Sequence, residues 1–138
     1  MSPVSVRKVC APIFFSSLLA CAGPKSLSPA PPAESLAARF ARDPAAVERG
    51  RRIFIGTCGA YCHSTHDVQR DAPWLFGCEW KHGGSDDEVF RSISTGVPGT
   101  RMPAWAGALP QGDDDIWRVI AYLRSASTCK MQPAAPAQ

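Results

Sequence analysis

The run Cys58-Gly59-Ala60-Tyr61-Cys62-His63 constrains this chain more than any other stretch. Two thiols and an imidazole fall within six residues, and the imidazole directly follows a thiol. A haem held by thioethers at its vinyl groups, with the next histidine on its iron, would use these groups in this order. The usual attachment run is C-x-x-C-H. Here one more residue separates the cysteines.

What lies around the run narrows the setting. Met1 to Ala20 reads as an export signal, with Arg7 and Lys8 before a short apolar segment, Ile13 to Ala20. That segment is too short to cross a bilayer as a helix. It ends in Leu18-Leu19-Ala20-Cys21, which resembles the bacterial lipobox, so Cys21 is the expected lipidation site. Positions 21–42 are expected to be a lipid anchor and linker; Pro24, Pro29, Pro31 and Pro32 among Ser and Ala make a spacer to about Glu34, and helix signals begin near Leu36. Positions 130–138, rich in Pro and Ala, are expected to be a disordered tail. The formal charge is +3, but Arg7 and Lys8 leave with the signal, and 13 basic and 12 acidic side chains remain. That balance excludes the dense basic patch of a nucleic-acid binder.

The remaining span, 43–129, reads as all-α, with three to four short helices and long loops. Asp43-Pro44 is an N-cap followed by proline at the first helical position, and a helix then runs to Phe54 through Val47 and Gly50. Gly50 inside a helix points to close approach of another backbone or ring. Asp67 to Gly77 is apolar without a period and reads as a loop. Ser85 and Glu88 form a capping box before a helix that buries Val89, Phe90 and Ile93 and ends at Gly96. A second loop, Val97 to Pro110, carries Met102. Asp113, Asp114 and Asp115 open the last helix, where the macrodipole favours acids. Ile116, Ile120 and Leu123 share one face of it. A region this small with loops this long needs something large and apolar to pack against.

The residues supply what one covalent haem c would need. His63 can reach the iron, and its Nδ1 proton needs an acceptor, which a carbonyl of the 71–77 loop provides. Met102 lies in the folded region and is the expected second axial ligand; His66 and His82, in polar stretches, are its rivals. His/Met ligation leaves no open position and suits electron transfer. Two cysteine schemes remain open. In one, Cys58 and Cys62 both form thioethers, while Cys78 and Cys129 pair or stay free. In the other, the haem hangs by Cys62 alone and Cys58 bridges to Cys78. Two other classes compete: a haem-based gas sensor, which needs Met102 to be displaceable, and a structural zinc module on Cys58, Cys62, His63 and one of Cys78, His66 or His82. No catalytic constellation emerges, so no enzymatic activity is expected.

Several stretches together resemble the small monohaem class I cytochromes c. These are Gly50-x-x-Ile53-Phe54-x-x-x-Cys58, Cys62-His63, Ala72-Pro73-x-Leu75-x-Gly77, Thr100-Arg101-Met102-Pro103 and Ile116-x-x-x-Ile120-x-Tyr122-Leu123. The resemblance implies the cytochrome c fold over 43–129, with His63 proximal, Met102 distal and the Pro73 carbonyl taking the His63 proton. It implies that the helix of Gly50 and Phe54 crosses the last helix near Tyr122. The C-x-x-x-C-H run and Asp113-Asp114-Asp115-Ile116-Trp117 are most similar to periplasmic electron acceptors of quinoprotein alcohol dehydrogenases. The implied role is a periplasmic, membrane-anchored one-electron carrier. Its partners would be redox proteins: a dehydrogenase as donor, and a cytochrome or oxidase as acceptor.

Overall fold

A computed structural model describes residues 33–68 and 71–129. The export signal, Cys21, most of the linker and the tail from 130 lie outside these residues. Four helices follow in order: α1 (Leu36–Phe40), α2 (Pro44–Ile53), α3 (Asp86–Thr95) and α4 (Asp113–Ala126). No strand occurs among the described residues.

Local signals set the helix ends where expected. The Asp43 carboxylate accepts from the Ala45 amide at 2.9 Å, with Pro44 next to it. Ser85 Oγ accepts from the Glu88 amide, and the Glu88 carboxylate accepts from the Ser85 amide at 2.9 Å. At the end of α3, Gly96 has φ 71°, which disfavours any side chain. A Cβ there would lie 2.7 Å from the Met102 carbonyl oxygen. Glycine therefore lets the Met102 loop fold back onto the end of α3.

The core is built on α4. Ile116 and Ile120 pack with Ala37 of α1 and Val89 of α3. Val119 and Leu123 pack with Phe54 and Phe76. The expected face of Ile116, Ile120 and Leu123 is fully buried, but it serves two clusters. The crossing of α2 over α4 is at Arg118–Val119, one turn before the expected Tyr122, because the Gly50 backbone rests on the Arg118 carbonyl. Phe54 reaches Tyr122 instead, with ring centroids 5.7 Å apart.

One expectation needs correction, and one open choice is decided. The domain boundary at 43 falls inside the folded body, which takes in α1. Ala37, within the stretch expected to be linker, is completely buried. The Ser35 hydroxyl caps α1 and also donates to Asp86, which Arg124 holds from α4 at 2.8 Å. Helix signals near Leu36 mark the change of state in the sequence, but the docking of α1 against α4 joins residues far apart in the chain. The open choice concerns the cysteines. Cys78 pairs with Cys129, as the first of the two schemes allows, and not with Cys58; the bridge joins residues 51 positions apart in sequence. The Phe76 carbonyl accepts from the Thr128 amide at 2.9 Å beside it, so the pairing follows the docking of the chain after α4. Replacing both Cys78 and Cys129 by serine is expected to cost about 4 kcal/mol of stability, through the freed unfolded chain. Urea midpoints of the oxidised protein and the double variant measure it, and equal midpoints would discount the bridge.

Candidate cofactor site

The attachment run leaves α2 through a wide helical turn over Phe54–Gly59. The Cys58 carbonyl accepts from the Cys62 amide at 3.2 Å and from the His63 amide at 2.9 Å. The second bond spans five residues, the signature of a π-type turn, which takes in one residue more than an α-helical turn. Ala60 keeps ordinary helical angles, φ −62° and ψ −33°. The extra residue is thus absorbed in the turn without backbone strain.

His63 is 7% exposed, and its Nδ1 lies 2.9 Å from the Pro73 carbonyl oxygen. A carbonyl only accepts, so Nδ1 carries the proton, and in the neutral ring the lone pair falls on Nε2. Cys62, His63 and Pro73 line a cleft whose open space, mouth included, is about 1060 Å³. Met102 lines it from the loop after α3. Its backbone is fixed: its amide donates to Thr100 Oγ1 at 3.1 Å, and its carbonyl accepts from Val97 at 3.2 Å. Leu75, Trp80, Val89, Ile93 and Leu123 add apolar wall.

Four of the five expected haem residues therefore meet in one cleft. Cys58 is not in its lining and packs against the Phe54–Phe76 cluster. Burial, with a smaller contribution from Cys62, pushes its thiol up to about 11. Both Cys58 and Cys62 are unpaired. His82 is exposed and also lines the cleft. His66 does not; its ring lies 3.1 Å from Thr65 Oγ1. The donor set fits a haem: an imidazole with its lone pair on Nε2, a thioether facing the same space, a thiol beside the imidazole, and an apolar wall. It fits zinc poorly. Among the described residues no three His, Cys, Asp or Glu side chains are grouped to hold a metal ion, and Cys78 is consumed in the disulfide.

The sequence reading missed the contributions of Trp80, Val89 and Leu123, which come to the cleft from three separate segments. It also missed an ion pair at the mouth, Asp71 with Arg101. Their only sequence signal was adjacency to Pro73 and Met102.

The family model described as cytochrome C oxidase, cbb3-type, subunit III matches residues 45–123. The cbb3-type cytochrome c oxidase subunit CcoP of Rubrivivax gelatinosus is 36% identical over 98 residues, which cover 70% of this chain and 30% of that protein. The chain thus matches less than a third of that relative's length. No solved structure matches.

Proposed function

We propose a periplasmic one-electron carrier, on the premise that the chain belongs to the cytochrome c oxidase, cbb3-type, subunit III family and is a class I c-type cytochrome. Electron transport and a haem c come with that membership. We assign one haem, which His63 and Met102 would ligate and Cys62 would hold by a thioether; the second thioether, from Cys58, would require that side chain to turn from the Phe54–Phe76 cluster toward the cleft. Haem bound there would supply a one-electron ferric/ferrous couple. Pro73 holds the His63 ring by its Nδ1 proton and keeps Nε2 as the ligating atom. With Met102 as second ligand the iron would keep no open position for substrate, and the chain itself would perform no bond chemistry. Its donor would be a periplasmic dehydrogenase, for instance a quinoprotein alcohol dehydrogenase, and its acceptor a cytochrome or oxidase. Attachment to a membrane would be through lipid on Cys21. No helix among the described residues is long and apolar enough to cross a membrane.

The observation that carries this reading is the His63–Pro73 hydrogen bond on the same cleft as Met102. The ferric protein should show the far-red Fe–S(Met) band, and the ferrous protein should take up carbon monoxide only slowly and to a small extent. Met102→Ala should abolish the band entirely and admit carbon monoxide. A wild type that binds carbon monoxide stoichiometrically would favour the gas-sensor class instead. Intact mass and the pyridine haemochrome band give the haem count and separate one thioether from two.

A further inference from the structure

The ion pair at the cleft mouth joins its two walls. Asp71 stands two residues before Pro73, the acceptor for His63, and Arg101 immediately precedes Met102. Arg101 Nη2 donates to Asp71 Oδ2 at 2.5 Å across 30 residues of sequence. Both residues line the cleft. The Met102 wall is braced from behind, where the Trp105 amide donates to the Ile93 carbonyl at 3.0 Å. The Pro73 wall is braced at its far end, by Phe76 to Thr128 and the Cys78–Cys129 bridge. Among the described hydrogen bonds, Asp71–Arg101 is the one that runs from residues 71–77 to residues 96–103.

We propose that Asp71 and Arg101 form a latch that holds Met102 over the cleft, so that opening it exposes the distal side to small exogenous ligands. The latch rests on the assignment of Met102 as a ligand. These are positioning residues: each acts through the loop it sits on. The side chains are 76% and 81% exposed, which makes the latch weak and open to screening by salt. A weak latch biases a population without locking it. Glu79, Lys81 and His82 also line the cleft, so the charge change must be isolated from them by exchange within the pair.

The test uses the intact holoprotein with carbon monoxide as probe. Arg101→Gln and Asp71→Asn should each raise the initial rate of carbon monoxide uptake by the ferrous protein about two- to fivefold. They should also weaken the ferric far-red band. The exchange of both, Asp71→Arg with Arg101→Asp, should restore the wild-type rate and band. One molar sodium chloride should bring the wild type up to the rate of the single variants and leave those variants unchanged. A wild type that shows the band, with uptake unaffected by either substitution or by salt, overturns the latch alone. A wild type without the band overturns the Met102 assignment and the latch with it.

Discussion

Alanine at position 50 is expected to remove roughly 3 kcal/mol of stability, a large share of what a domain of this size has. A Cβ there would lie 2.0 Å from the Arg118 carbonyl oxygen and 2.5 Å from its carbon. Both atoms are backbone, so no rotamer change relieves the contact. The helices α2 and α4 must separate, which loosens Phe54 against Val119 and Leu123. Alanine's better helix propensity returns only about 1 kcal/mol. Trimming α4 side chains should not rescue the variant: Val119→Ala should add its own loss. A urea midpoint equal to wild type would rule out the close crossing. The same comparison with Gly56→Ala serves as the control, since a Cβ there meets nothing within 4 Å.

Truncating Asp115 to alanine is expected to cost about 3–5 kcal/mol, the usual result of leaving buried partners uncompensated. Asp115 has no exposed surface. Its two oxygens accept from Arg49 Nε at 2.6 Å and Nη2 at 2.8 Å. They also take bonds from Arg118 Nη1 and the Gln111 amide, both at 3.0 Å. Arg118 in turn lies over the Phe40 ring, 4.6 Å from its centroid, so one carboxylate organises α1, α2 and α4. The hydrogen bonds from Arg49, helped by Gln111 and Arg118, hold this carboxyl below its ordinary range, against the desolvation that pushes it up. A lowered folded-state value stabilises the fold at pH above the unfolded value, about 4. That contribution is lost as pH falls from there through the folded value. Stability of the wild type should therefore drop below about pH 4, and Asp115→Asn should flatten that part of the profile. Identical acid limbs in the two proteins would remove Asp115 from this role.

Asp115 also shows where sequence reading reached its limit. As the third of three consecutive aspartates it reads as a dipole-favoured acid, and Asp113 and Asp114 remain that. Nothing within a few residues of it tells that Arg49, 66 positions away, meets it in the core. The same holds for Cys78. Its pairing was open because Cys58 and Cys129 were both chemically able, and the return of the chain after α4 decided it. For α1, helix signals near Leu36 were legible, but not that Ala37 would be buried against α4 and bring the helix into the folded body. Cys58 shows the reverse case: the motif spacing put it with Cys62, yet the wide turn sets it behind the cleft, among the aromatics.

The sequence by itself determined the helix ends, the loop that carries Met102, and the pairing of an imidazole with the loop of Pro73. These depend on bonds between residues a few positions apart, or on motifs short enough to be read whole. The tertiary structure alone decided which turn of α4 bears Gly50, which cysteines bridge, and that Asp71 meets Arg101. Those contacts join residues 30 to 68 positions apart. Each forms only once the burial of Phe54, Ile116, Ile120 and Leu123 has fixed the helices in place.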